Sequence, residues 1–257
     1  MKRILVTRHG EPRDMSIVDG PALRPGAGEA RVGVHAIGLN FPDLLVISGK
    51  YQIIPPFPYA PGKEVAGEVL EIGEGVSRFK PGDRVMVQLE HGGFAEEVIA
   101  PQQHCFLMPP GLSMVKAAAM GIIYITSWFG VVVRGAMQPG ETVLVTGAAG
   151  GCGIAAIQIA KALGGKAVGV VSTEEKAAFV RAHGADAAII TGERDMKEAL
   201  RDELFALNNG YGADIVFDPV GGEIFDAALR CLAWSGRAVT CGFAGGKPNL
   251  IRSNYLL

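Results

Sequence analysis

Cysteine is scarce in this chain, and the four present, Cys105, Cys152, Cys231 and Cys241, stand far apart. No Cys-x-x-Cys pair and no Cys/His ligand spacing occurs. That argues against a disulfide framework and a thiolate metal site, and for a reducing, cytoplasmic setting. Blocks of like charge are missing too: 24 Lys and Arg face 26 Asp and Glu, for a net charge of −2. Such a balance gives no pull toward nucleic acid or an anionic membrane surface. The opening MKRILVTRHGEP lacks the apolar core of a signal peptide. No apolar run reaches bilayer length; the longest, residues 121–133, reads as a buried helix. No shorter fixed-period repeat is found.

What is abundant is glycine, with 36 residues spread along the chain, about double the usual share of ~7%. Hydrophobic residues make up 49% of 257, enough for one large or two modest cores. Residues 1 to about 120 read as β. Short apolar runs at 30–37, 65–72 and 83–87 are cut by Gly and Pro, and the proline-rich stretch 54–62 excludes helix. Many short strands with frequent turns predict a small barrel. After about Gly121 the rhythm changes. Strands are expected at 142–145, 166–171, 187–190, 213–217 and 237–241, and helices at 154–163, 174–183, 196–207 and 224–232. This alternation predicts a parallel, doubly wound sheet. The expected fold class is therefore α/β, with a β-rich barrel-like domain over residues 1–121 and a doubly wound β/α domain over 122–257.

The strongest local signal is TGAAGGCGIAAIQIAK, residues 146–161, with glycine at 147, 150, 151 and 153 between a β-branched run and a helical one. The fingerprint G-x-G-x-x-G fits at 148–153, with alanine in the first place and Gly150 and Gly153 in the other two. Gly150 leaves bare main chain for a pyrophosphate, and Gly153 lets the helix pack closely. Gly151, Cys152 and Gly153 then offer a helix tip to phosphate. A tight strand-to-helix turn without a ligand is the plain alternative. At the end of the next strand, where a free ribose hydroxyl usually meets an acid, stands Ser172, with Lys176 one helical turn on. A hydroxyl and a cation suit a 2′-phosphate, so the expected cofactor is NADPH. The alternative is that Ser172 caps the helix and Lys176 is a surface lysine. The loops after the fourth and fifth strands, Val220 with its following glycines and Gly242, Phe243 and Ala244, sit where ligands of open α/β sheets gather.

NFPDLLVISGKY, PGKEVAGEV, GDRV, GAAGGCGIAAIQIAKALG and DPVGG occur in that order over essentially the whole chain. Together they resemble the zinc-independent, zeta-crystallin-like quinone oxidoreductases of the medium-chain dehydrogenase/reductase superfamily. The resemblance implies a GroES-like catalytic domain followed by a Rossmann domain. It implies hydride transfer from NADPH to a quinone or an α,β-unsaturated carbonyl. It also implies Asn40, Asp43 and Tyr51 on the substrate side, and a nicotinamide contact at Thr126. Read as residues alone, these are equally a strand-end Asn, a turn Asp and a packing Tyr. Zinc-dependent relatives carry cysteine where Asn40 stands and histidine where Lys63 precedes Glu64, so no metal is expected. An Asn-Tyr pair common near the third strand is replaced by Thr191-Gly192. Similar chains continue past the closing IRSNYLL with another strand and a return to the catalytic domain, so the expectation here is either a fragment or shortened product, or a chain that manages without those pieces. The rival functions are an enoyl- or acryloyl-thioester reductase and an NADPH-binding protein without turnover. The expected partners are a small-molecule acceptor and, if the sheet edge is intact, a second copy in a homodimer, with neither nucleic acid nor membrane.

Overall fold

The structure, a computed structural model, describes residues 1–191 and 196–251. Gly192 and most of the closing IRSNYLL, residues 252–257, lie outside the described residues. The chain divides into two compact units, Met1–Ile122 and Ile123–Leu257.

In the first unit β1 (Lys2–Leu5) and β2 (Ser16–Asp19) form an antiparallel pair. The main sheet is built from β3 (Glu29–Gly38), β4 (Glu64–Ile72), β5 (Arg84–Gln88), β6 (Glu97–Pro101) and β7 (Cys105–Leu107). Its order is β6-β3-β4-β5-β7, antiparallel throughout. The period-2 pattern turns Ala30 and Val32 of β3 and Val85 and Val87 of β5 onto one core. Two helices interrupt the all-β reading: α1 (Phe41–Ile47) and α2 (Met114–Ala118). The start of α1 is chemically marked. Pro42 occupies its first turn, and the Asp43 carboxylate accepts the Asn40 N–H at 2.9 Å. Asn40 is thus a helix N-cap and Asp43 a first-turn helix residue, where the residue-level alternatives were a strand end and a turn.

The second unit opens within α3 (Gly121–Trp128), which continues as a wide π-helical turn, Phe129–Arg134. The expectation of one buried helix over 121–133 is corrected here. Only Ser127 of α3 is buried, and Ile125 and Val133 are 51% and 56% exposed. A run apolar on every side carries no information about which side packs. Gly130 does face the core, because a Cβ there would stand 2.5 Å from the Phe217 ring.

Beyond it, β8 (Thr142–Val145), α4 (Gly151–Ala162), β9 (Lys166–Val171), α5 (Glu174–Ala182), β10 (Ala187–Ile190), α6 (Met196–Leu207), β11 (Ala213–Asp218), α7 (Gly222–Leu229) and β12 (Leu232–Thr240) alternate. The sheet is parallel in the order β10-β9-β8-β11-β12. Both faces are covered: Val143 and Val145 enter one core while Leu144 enters the other. α4 and α7 begin earlier than their apolar periodicity, at the glycines that lead into them. β12 begins at Leu232, where a helix end was expected, because residues 232–237 bulge against β11 with Ser235 at φ +62°.

Candidate functional site

The strand order reverses between β8 and β11, and crevices for ligands form beyond the carboxyl ends of strands at such a point. Both strands end there in glycine-bearing turns. After β8 the chain reverses through Gly147 at φ +54°, the one residue of the turn that needs the left-handed region. The fingerprint at 148–153 starts one residue past Gly147; a Gly directly after a β-branched strand is the signal for it. Gly150 is the N-cap of α4, exposed and with only the Gly147 carbonyl near a would-be Cβ, at 3.3 Å. The first intrahelical bond runs from Ile154 N–H to Gly150 C=O at 2.9 Å. The helix geometry therefore aims the N–H groups ahead of it out of the tip, toward an anion. Gly153 is buried hard against the turn: a Cβ would meet the Gly147 and Ala148 carbonyl oxygens at 2.6 Å. Ser127 Oγ donates to the Cys152 carbonyl at 2.8 Å and ties α3 to this first turn, with half-buried Thr126 beside it.

At the end of β9, Lys176 Nζ donates to Ser172 Oγ at 3.0 Å. The helix cap is Thr173, whose Oγ1 accepts the Lys176 N–H at 3.2 Å, so Ser172 is not the capping residue. Ser172 and Lys176 are both exposed; the strand end itself carries no carboxylate, while Glu174 and Glu175 follow in the first turn of α5. Thr191 folds back onto β9, its N–H and Oγ1 both donating to the Val171 carbonyl, at 2.9 and 3.2 Å.

The loops after β11 and β12 form one assembly around Asp218, which is fully buried. Its carboxylate accepts from Thr146 Oγ1, from Val220 N–H at 3.2 Å and from Gly221 N–H at 2.9 Å. Gly221 is the N-cap of α7, so a helix N-terminus adds to the field that holds the charge. The Cys241 N–H reaches the Asp218 carbonyl at 2.7 Å, Ala244 N–H the Pro219 carbonyl at 3.1 Å and Gly245 N–H the Val220 carbonyl at 2.8 Å. Asn249 closes the assembly by accepting the Gly222 N–H at 3.0 Å. Val220 also covers the first turn, since a Cβ on Gly147 would stand 2.6 Å from its Cγ2. Val220, Gly242, Phe243 and Ala244 are thus brought to the same sheet end as residues 150–153. The sequence motifs assign Asp218 no role, although an Asp between an apolar strand and Pro-x-Gly-Gly is an Asx-turn signal. This end of the sheet has the bare helix tip, the strand-end hydroxyl and cation, and the glycine loops that a nicotinamide dinucleotide phosphate requires.

The first unit has its own polar centre. Asn40 Nδ2 donates to Glu64 Oε1 at 2.8 Å, and the Ile122 N–H donates to Glu64 Oε2 at 2.8 Å. Lys63 donates to the Glu90 carbonyl at 3.0 Å and carboxylate at 3.2 Å, and its Nζ lies 4.8 Å from the centre of the Tyr51 ring. Asp43, Lys63 and Glu64 are each under a tenth exposed. Asn40, Asp43 and Tyr51 are therefore gathered, but through Lys63 and Glu64, which sequence reasoning used only as departures from a zinc pattern. Burial pushes the Glu64 carboxyl above its ordinary value, opposed by the Asn40 and Ile122 bonds and reinforced by the charge on Asp43. Asp43 is raised by burial as well, against the Asn40 N–H and the Lys63 charge.

A raised folded value has a definite sign. The folded chain holds the Glu64 proton more tightly than the unfolded one. The resulting stability is complete below the unfolded value near 4.5 and is lost as pH rises through the folded value. Each unit of displacement is worth about 1.4 kcal/mol. Urea titrations of the native protein and Glu64→Gln at several pH values check this. The native protein is expected to gain on the variant as pH falls toward 4.5, and a constant gap would refute the assignment.

Among the described residues no cluster of three or more His, Cys, Asp and Glu is arranged to hold a metal. No helix among them is long and apolar enough to cross a membrane.

Residues 26–110 match the family described as the alcohol dehydrogenase GroES-like domain, and residues 151–257 the family described as zinc-binding dehydrogenase. A quinone oxidoreductase-like protein 2 homolog from Nematostella vectensis is 41% identical over 90% of this chain, which spans 63% of that protein's length. A quinone oxidoreductase of Sus scrofa is 34% identical over 95% of this chain and 74% of its own. Among solved structures, an Escherichia coli quinone oxidoreductase complexed with NADPH superposes with a TM-score of 0.88 at 32% identity, over all of this chain and 77% of its own.

Proposed function

Because the chain belongs to the quinone oxidoreductase family of the medium-chain dehydrogenase/reductase superfamily, we propose that it transfers hydride from NADPH to a quinone or an α,β-unsaturated carbonyl. The observation that carries this reading is the contact of Ser172 Oγ with Lys176 Nζ at 3.0 Å, at the end of β9, the strand beside β8. When bound, the reduced nicotinamide supplies a hydride to an electron-poor carbon or oxygen.

The chain's own groups bind and orient. The tip of α4, with Gly150, Gly151, Cys152 and Gly153, takes the pyrophosphate, and Lys176 and Ser172 take the 2′-phosphate by charge-assisted bonds. Thr126, Val220, Gly242, Phe243 and Ala244 line the nicotinamide end. In the first unit one N–H of Asn40 is committed to Glu64, which fixes the amide plane and leaves its second N–H for the acceptor oxygen. The Tyr51 hydroxyl donates to the oxygen on which charge develops, its ring steadied by Lys63, and Asp43 orients Asn40 through the bond to its N–H. We read the chemistry as metal-free, since an ammonium and an amide stand where a zinc site would need ligands. The same reading places the protein in the cytoplasm. It includes self-association along β12, which ends the parallel sheet and carries Trp234 at 86% exposure.

One assay tests the function: initial rates of NADPH and NADH oxidation against benzoquinones, enals and acyl thioesters. Turnover with NADPH and quinones or enals is expected. Exclusive use of thioesters would favour the thioester reductase, and binding without any turnover would leave a binding protein. In the same assay Ser172→Asp is expected to shift the NADPH-to-NADH preference by at least about tenfold, some 1.4 kcal/mol, because a carboxylate repels the 2′-phosphate. An unchanged ratio would show that the phosphate lies elsewhere.

A further inference from the structure

We propose that Lys63 makes the polar centre of the first unit a site for an aromatic oxyanion: its buried ammonium, held over the Tyr51 ring, favours an acceptor oxygen that carries negative charge. The role in turnover rests on the reductase reading above. Lys63 directly precedes β4, and its carbonyl accepts the Leu89 N–H at 2.8 Å, so Glu90 stands beside it at the rim of the sheet. Two of the three ammonium N–H bonds go to Glu90, to the carbonyl at 3.0 Å and to the carboxylate at 3.2 Å. The third has no acceptor among the described residues, and Nζ lies 4.8 Å from the centre of the Tyr51 ring. Tyr51 is fixed in turn by packing on Val6, Val46, Ile47 and Tyr59.

The ion pair is lopsided. Lys63 is 7% exposed, whereas the Glu90 side chain is 67% exposed. Water screens the carboxylate far more than the ammonium, and a positive field remains inside the centre. Asp43 opposes that field, but its carboxylate is committed to the Asn40 N–H at 2.9 Å, and burial favours its neutral form. A buried lysine is costly, and a methionine would fill much of the same space without that cost. What the ammonium adds is charge beside a phenol. A quinone that has taken a hydride carries one negative charge on oxygen until a proton from water neutralises it. The Tyr51 hydroxyl donates a hydrogen bond to that oxygen. Lys63 acts through the ring, which it orients and whose face it polarises, and is thus a positioning residue.

The probe is 4-nitrophenol, a coloured counterpart of the hydroquinone anion, added to the whole protein in mildly alkaline buffer without NADPH and followed by difference spectroscopy. The native protein is expected to bind the yellow nitrophenolate. Lys63→Met is expected to raise its Kd at least about tenfold, and Lys63→Arg, which keeps the charge, to stay within about threefold of native. Glu90→Gln removes the opposing carboxylate and is expected to tighten binding about twofold or more. A lysine that only held the loop would weaken binding in Lys63→Met and Glu90→Gln alike. With NADPH and a benzoquinone, kcat of Lys63→Met is expected to fall at least about tenfold at an unchanged KM for NADPH. No nitrophenolate binding by the native protein, equal binding by Lys63→Met, or weaker binding by Glu90→Gln would overturn the proposal. A Lys63→Met protein that does not fold leaves the decision to the sign of the Glu90→Gln effect. A native protein that binds nitrophenolate but oxidises no NADPH would instead sink the reductase reading and leave the charge of Lys63 in its place.

Discussion

Asp218→Ala is expected to lower the folding free energy by about 3–5 kcal/mol, since it strips the acceptor from two or three buried donors worth about 1–3 kcal/mol each. Those donors are the Thr146 hydroxyl and the N–H groups of Val220 and Gly221, around a side chain with no exposure. Water cannot replace the carboxylate without opening the ends of β8 and β11. Asp218→Asn keeps the shape and one acceptor oxygen, so it is expected to fall between alanine and the native residue. Urea unfolding midpoints of the three proteins measure the effect. NADPH titration of the folded fraction reads the second consequence, a weaker Kd, because the loops holding Val220 and Ala244 hang on this one carboxylate. A native midpoint in Asp218→Ala would show that the donors find other partners, and that Asp218 does not organise this end of the sheet.

The second large effect has an unusual sign. In an ordinary exposed helix, glycine to alanine gains about 1 kcal/mol through backbone entropy. Gly153→Ala is expected to lose about 1–3 kcal/mol instead, because its methyl group would stand 2.6 Å from two backbone carbonyl oxygens of the β8 turn. Backbone cannot rotate aside as a side chain can. The first turn of α4 must lift, and the N–H groups that face an anion lift with it. NADPH affinity is therefore expected to fall by about tenfold or more, beyond the loss of stability. The control is Gly151→Ala, whose nearest obstacle is a flexible methyl of Ile123 at 3.0 Å. Equal behaviour of the two variants, by thermal melting and NADPH titration, would remove the close-packing argument.

Much of the fold was readable locally. The bounds expected for β8, β9, β10 and α6 coincide with those observed, because each is a uniform β-branched or amphipathic run with a turn at both ends. β12 was misread at its start, because the bulge at Ser235 breaks the period of 2 on which strand recognition depends. α1 was hidden inside a β-like half, although Asn40, Pro42 and Asp43 spell a helix start. The apolar run at 121–133 gave its length but not its burial, since a segment apolar on all sides has no pattern to point with.

The candidate site divides along the same line. Local chemistry alone determined the alternation of strands and helices, the bare main chain at Gly150 and the uncharged end of β9 at Ser172. Each depends on residues within one turn of one another. Only the tertiary structure joined Asn40 to Glu64 across 24 positions and Thr146 to Asp218 across 72. Those meetings follow from strand order, β8 lying beside β11 and β11 beside β12. Strand order is decided by how whole faces pack, a sum over many buried side chains that no short stretch of sequence contains.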